Sequence, residues 1–293
     1  MAQILSFATY LMVVSCIFMM SSFSLNLQVG STGLANFGQV AFLLAGGYAT
    51  AIATMHGAGA IGCIAIAALV GGVFGLVLAA TVRNMSATYW GILSLAMAEL
   101  LRLVMLNEQQ IAGGASGQTV PRSLAGFNFV VVGATVLTYM LMRVIGASPF
   151  GRVIRLIREG DRLPLALGQN VAIFKAEVMF IGGAIGGLAG SFYALENRYI
   201  NPDDGLPVET FIVWAMVILG GRGSATGVMV GTIVVQMLYV GTRYLTTIVP
   251  ISADMLSALR LVAIGVLIVL IMMFRPQGLV PEGRRVFGAA PRR

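Results

Sequence analysis

Few residues in this chain could do covalent chemistry, and those few are badly spaced for it. Among 293 residues there is one lysine, Lys175, and one histidine, His56. A nucleotide-binding P-loop needs a lysine inside a Gly-rich loop to reach the phosphates. Lys175 sits in no such loop, so the chain cannot be a P-loop ATPase by itself. One histidine excludes HExxH and most His-built metal sites, and no metal centre is expected. No Ser/His/Asp arrangement can be assembled without His56, which reads as a solvent-side loop residue. Cys16 and Cys63 lie in apolar runs and read as buried small hydrophobes, with no disulfide framework. The residue inventory argues against an enzyme.

Two charged constellations remain. Glu99 and Arg102 are spaced i,i+3 on an apolar segment, so they share a helix face and can pair. They serve either as a structural pair near the end of a span or as a polar lining of a transport path. Glu177, Glu196, Arg243 and Arg260 lie near span ends, where structural roles dominate. The second constellation is "SPFGRVIRLIREGDRLPLALGQNVAIFK", Ser148 to Lys175. Arg152, Arg155, Arg158, Glu159, Asp161, Arg162 and Lys175 all fall there, seven of a total complement of 18 basic and 11 acidic residues.

The elements that must position these groups are membrane spans. Hydrophobic residues make up 58%, charged residues 10%, and mean hydropathy is +0.92. A soluble domain has about 25% charged residues. Met1 to Val82 contains no Asp, Glu, Lys or Arg. Apolar segments at 4–26, 34–54, 60–82, 87–106, 127–145, 174–195, 207–221, 227–248 and 257–274 predict an all-α polytopic membrane protein. The expectation is about nine spans, within eight to ten, in one transmembrane domain over 1–293. "GGRGSATG" at Gly220–Gly227 is either a tight turn between two spans or a break between half-helices. The first apolar segment lacks a basic leader region and reads as a retained span. Glycine, at 37 residues, suits close helix packing in lipid.

The positive-inside rule sets the direction. Arg83, the loop 146–174, Arg222 and the basic tail 275–293 belong on the cytoplasmic side. His56 and the loops Asn107–Pro121, Asn197–Pro207 and Pro250–Met255 then lie outside, with Arg122 and Arg198 as exceptions to the charge bias. Nine spans with the N-terminus out and the C-terminus in satisfy this alternation. The net charge of +7 reports basic loops rather than a nucleic-acid partner.

Ser148 can cap a helix whose first position is Pro149 and whose end is Gly160. Asp161 can cap a second short helix, "RLPLAL", stopped by Gly168. Val153, Ile154 and Ile157 form an apolar flank beside Arg152, Arg155 and Arg158. Such an element is too short and too charged to span. It either lies on anionic lipid or seats in a groove of a partner protein.

Several segments, in order, resemble the LivM-type permeases of the branched-chain amino acid ABC importer family, near relatives of the urea-type permeases. They are "LNLQVGSTGLANFGQVAFLLAGGYATAI", "YWGILSLAMAELLRLVMLN", "GGASG", "SPFGRVIRLIREGDRLPLALGQNVAIFKAEVMFIGGAIGGLAGSFYA", "VILGGRGSATGVMVGTIV" and "FRPQGL". The resemblance runs from about Leu25 to Leu279. It implies a multi-pass permease of the bacterial inner membrane with a LivH-like second permease and a periplasmic substrate-binding protein. Two cytoplasmic ATPase subunits would carry ATP and Mg, leaving no cofactor in this chain. It also implies that Ser148–Lys175 contains the coupling helix, with Ser148, Pro149, Gly151, Arg152, Arg155, Arg158, Ala166, Leu167, Gly168 and Asn170 at matching positions. Pro164 departs from the small-residue-rich turn common in the family. The implied cargo is a branched-chain or other hydrophobic amino acid, with urea, amides or organic acids as the alternative. A stand-alone channel or secondary transporter is the competing class.

Pathway or helix-break candidates are the glycines Gly30, Gly33, Gly220, Gly221 and Gly223, the polar residues Asn26, Asn36 and Gln39 beside the first break, and the in-span Glu99. Hydrogen-bonded packing accounts for the polar ones equally well, and close helix packing for the glycines.

Overall fold

The computed structural model describes residues 2–82, 87–121, 126–248 and 253–282. Arg83, Arg122, Pro250 and the tail arginines from Arg284 onward lie outside the described residues, as do the side chains of Arg243, Asp254 and Arg260.

Each of the nine predicted apolar segments forms a helix. In chain order the helices are α1 (Ala2–Leu25), α2 (Gln39–Met55), α3 (Ala60–Val82), α4 (Ala87–Asn107), α5 (Gln109–Ala112), α6 (Phe127–Ala147), α7 (Pro149–Glu159), α8 (Arg162–Ala166), α9 (Val171–Asn197), α10 (Pro207–Gly220), α11 (Ala225–Ile248) and α12 (Ala253–Phe274). Five stretches are long and apolar enough, by length and composition, to cross a membrane: Ser6–Ser31, Ala60–Thr81, Tyr89–Asn107, Phe127–Ala147 and Val171–Asn197. Four further apolar helical stretches are shorter: Gln39–Met55, Pro207–Gly220, Ala225–Gly241 and Val262–Phe274.

Two boundaries depart from expectation for local reasons. α1 does not stop at 26 but continues as a π-helical turn, Asn26–Ser31. The second span begins at Gln39 rather than 34, because Thr32–Gly38 is an irregular loop. Its polar groups are met by protein: the Phe37 N–H donates to Ser94 Oγ (2.9 Å), the Gly38 N–H to Asn36 Oδ1 (2.8 Å), and Trp214 Nε1–H to the Asn36 carbonyl (2.8 Å). Irregular backbone at membrane depth is tolerated when protein covers it in this way.

α9 is the axis of the molecule. It packs on α1, α2 and α3 through "GGAIGGLAG", Gly182–Gly190. A Cβ placed on Gly187 would stand 2.3 Å from the Ala67 carbonyl oxygen of α3, and one on Gly46 of α2 would stand 2.0 Å from the Gly187 oxygen. Backbone meets backbone at these crossings, which only glycine allows. α10 and α11 form a hairpin against α1. "GGRGSATG" is therefore a tight turn between two helices, closed where Gly220 and Gly227 touch: a Cβ on Gly220 would lie 2.3 Å from the Gly227 oxygen.

Large apolar side chains on α3, α4, α6 and α12 point outward, among them Leu69, Leu100, Leu137 and Val269. That is the surface expected where the surrounding solvent is hydrocarbon. At one end of the molecule β1 (Gln118–Thr119) pairs antiparallel with β2 (Tyr199–Ile200). This joins two loops assigned above to the same side. At the opposite end the 26–34 break, the α10–α11 turn, α7 and residues 275–282 converge.

Candidate coupling site and polar centre

The coupling element is built from its caps upward. Ser148 is extended, and its Oγ accepts from the Gly151 N–H at 3.1 Å; Pro149 occupies the first turn of α7 and Gly160 ends it. Asp161 precedes α8 but makes no side-chain cap. Its carboxylate is drawn instead to Lys175 Nζ at 2.7 Å, because the lone lysine is within reach at the start of α9. Asn170 does cap α9, accepting from the Ile173 N–H at 3.4 Å.

The amphipathic flank of α7 turns inward. Ile154 and Ile157 are buried against the bundle itself. Gly151 crosses the end of α6 so closely that a Cβ would lie 2.1 Å from the Ile145 oxygen. The Phe150 ring packs on Phe174 with centroids 5.6 Å apart. Arg155 Nη1 donates to the Gly146 carbonyl at 2.9 Å. Arg158 donates to the Gly30 carbonyl and to Glu282 Oε2, the latter at 3.0 Å from both terminal nitrogens.

What faces away from the bundle is Arg152 together with α8 and its flanks. Leu163, Leu165 and Leu167 are 58%, 58% and 65% exposed, and Arg162, Ala166, Gly168 and Asn170 are exposed beside them. Pro164, the departure noted in the sequence, is buried and holds α8 against the surface. An open groove of about 730 Å³ runs between this element and the 32–34 loop, with Trp90 in its wall.

Inside the bundle lies a closed polar centre. Ser24 Oγ donates to the Gly182 carbonyl (2.6 Å); Gln28 Nε2 donates to Ser24 Oγ (3.2 Å) and Gln39 Oε1 (3.3 Å); Asn36 Nδ2 donates to Gln28 Oε1 (2.7 Å). Gln39 Nε2 reaches the Ser21 carbonyl at 3.2 Å. Asn36 and Gln39 are thus brought together, through Gln28 and Ser24, which the sequence reading passed over. Asn26, Gly30 and Gly223 meet each other instead: Asn26 Oδ1 accepts from the Gly223 N–H at 2.8 Å, and a Cβ on Gly30 would lie 2.6 Å from that nitrogen. Gly33, with φ +80, lies over Arg158. Gly220 and Gly221 belong to the hairpin turn.

Glu99 is elsewhere. It pairs with Arg102 at 2.6 Å as the spacing predicts, and Arg102 also reaches Asp203 at 3.5 Å across the loop end. That places the pair at the end carrying the β ladder, away from the polar centre.

Near the same end a cavity of about 280 Å³ opens between α1, α9, α10 and α11, with Tyr10, Tyr193, Asp204, Glu209 and Tyr239 in its walls. Tyr193 donates to Asp204 Oδ1 at 2.9 Å. Asp204 and Asn201 close a reciprocal capping box over the turn Pro202–Gly205. Burial pushes the Asp204 carboxyl above its usual range, against the opposing hydrogen bonds from the Asn201 N–H and Tyr193. A second, smaller cavity of about 10 Å³ shares Phe18, Tyr193, Asp204 and Glu209 with it and has Ser21 in its wall. Along α1 the order is therefore larger cavity, smaller cavity, polar centre and break. Among the described residues, no cluster of three or more His, Cys, Asp or Glu is placed to hold a metal ion. Cys16 and Cys63 are both free thiols.

Apolar helices around a buried polar centre, with an amphipathic element at one end, define a multi-pass membrane protein. The particular family follows from comparison with known proteins. The chain belongs to the family described as the branched-chain amino acid transport system permease component, whose model matches residues 7–272. It is 28% identical to the probable branched-chain amino acid transport permease protein LivM of Methanocaldococcus jannaschii, over 89% of each chain. It is 27% identical to the high-affinity branched-chain amino acid transport system permease protein LivM of Escherichia coli, over 92% of this chain and 68% of that one. A shorter similarity, 25% over 48% of this chain and 42% of the relative, links it to the fructose import permease protein FrcC of Rhizobium meliloti. No solved structure gives a significant match.

Proposed function

We propose that this chain is a permease subunit of an ATP-driven importer, working with a second LivH-like permease. Two cytoplasmic ATPase subunits carry ATP and Mg, and a periplasmic binding protein delivers the cargo. The chain resides in the bacterial inner membrane as nine spans, with the C-terminus and the coupling element in the cytoplasm. Its cargo is a branched-chain or other hydrophobic amino acid; a urea, amide or organic-acid cargo is the alternative. The name of the fructose permease relative is a reminder that related permeases serve different cargo, so selection falls to the binding protein.

One observation carries this reading: the coupling element is two-faced. Its inner face is tied to the bundle by Ile154, Ile157, Arg155 and Arg158, while its outer face presents the α8 leucines and Arg152. A chain with no nucleotide-binding loop gains a use for that outer face if a soluble motor docks there. ATP binding by the motor would favour one arrangement of the bundle and hydrolysis the other. The two cavities and the polar centre along α1 are the proposed path.

The test is purification of the complex from its native operon, followed by reconstitution. ATPase subunits should accompany the chain, and uptake should require both ATP and the binding protein. Substrate flux in liposomes holding this chain alone would instead identify a channel or secondary transporter. Thermal-shift screening of the binding protein against amino acids, urea, amides and organic acids identifies the cargo.

A further inference from the structure

After α12 the chain reads FRPQGLVPE, Phe274–Glu282. Pro276 cannot continue a helix, and Gly278, with φ +80, turns the backbone back toward the bundle. The segment then runs along the inner end of α10. The Leu279 N–H donates to the Leu219 carbonyl at 2.9 Å and the Val280 N–H to the Gly220 carbonyl at 3.0 Å. These carbonyls belong to the last turn of α10, where intrahelical partners run out. The approach is close enough that a Cβ on Gly278 would lie 2.4 Å from the Gly221 Cα.

This path delivers Glu282 to Arg158. One guanidinium then holds three segments remote in sequence: its own helix α7, the Glu282 carboxylate and the Gly30 carbonyl in the π-helical turn of α1. It also touches a fourth, since a Cβ on Gly223 would lie 2.6 Å from Glu282 Oε2 and 3.0 Å from Arg158 Nη1. A planar fork of donors suits such a junction, whereas a single ammonium does not.

We propose that residues 275–282 form a strap that latches the coupling element to the break in α1 and to the α10–α11 turn. Arg158 is the positioning residue at the knot: it passes displacement of α7 into α1 and does not contact the ATPase. Its consequence for transport rests on the importer reading above; the knot itself is a property of the isolated chain.

The experiment has two arms. In the isolated chain, reconstituted in nanodiscs, melting is measured for Arg158→Ala, Glu282→Ala and the double variant. Each single change should lower the melting temperature, and the double no further than the larger single shift; additive shifts overturn the strap. In the reconstituted complex, Arg158→Ala and the milder Glu282→Gln should cut uptake about fivefold or more with ATPase subunits retained and hydrolysis continuing. Arg158→Lys should restore uptake only in part. Unchanged uptake overturns the transmission role, and so does loss of the ATPase subunits from Arg158→Ala, which would make Arg158 a docking contact. A coupled cycle in a chain that never captures ATPase subunits sinks the importer reading and leaves the strap standing. An additive cycle in an intact complex does the reverse.

Discussion

Arg155 and Arg158 look interchangeable with Arg152 in the sequence, yet their surroundings separate them. Arg155 is spent on the Gly146 carbonyl and Arg158 on Gly30 and Glu282, which leaves Arg152 exposed. In the proposed function the docking contacts therefore shift to α8. Leu163→Asp with Leu167→Asp should abolish association with the ATPase subunits and leave the melting temperature of the isolated chain within about 0.5 kcal/mol of stability of the parent, as for exposed sites generally. Pull-down and thermal unfolding check the two halves. Asp204 makes a separate case. Its raised pKa means that folding favours the protonated form. The stability it supplies is therefore full below the ordinary carboxylate range and is lost as pH climbs through the raised value. Melting of the parent relative to Asp204→Asn should thus be most favourable to the parent at low pH and fall toward neutrality. Gln236 on α11 is fully buried, with neither amide atom hydrogen-bonded among the described residues. Leaving such a group unmet costs about 1–3 kcal/mol, so Gln236→Leu should raise the melting temperature.

The helices themselves follow from local rules, and their crossings from glycine. A valine at Gly187 would force its Cβ against the Ala67 carbonyl, and overpacking of this kind costs about 1–3 kcal/mol or more. Gly187→Val should lower folded yield sharply, as read by size-exclusion profile in detergent, whereas Gly133→Val, with open space around it, should not. The apolar segments and the helix signals at Ser148, Pro149 and Gly160 were legible because hydropathy and capping act within a few residues; the Asn170 cap of α9 was not foreseen. The π-helical turn at Asn26–Ser31 and the diversion of Asp161 to Lys175 were not. Both depend on partners distant in sequence, or on a loop whose hydrogen bonds come from α4 and α10. Gln28 stayed hidden for the same reason, since its role exists only once Ser24, Asn36 and Gln39 surround it. Glu282, the only acid in a basic tail, was the one visible hint of the strap.

At the scale of the whole molecule, the two ends are fastened differently. The end carrying α7 is held by the Arg158 guanidinium and by the strap, whose Leu279 and Val280 N–H groups bond the last carbonyls of α10. The opposite end is held by a β ladder, Gln118 pairing with Ile200 and Thr119 with Tyr199, and by the Arg102–Asp203 ion pair beside it. The loop between α4 and α6 cannot part from the loop between α9 and α10 without breaking that ladder. In the proposed transport cycle, rotation of one group of helices against the other would be least at the ladder and greatest at the far end, like the limbs of a pair of tweezers. A disulfide across the ladder, from Gln118→Cys with Ile200→Cys, should leave uptake intact, because it would fix the point about which that rotation turns.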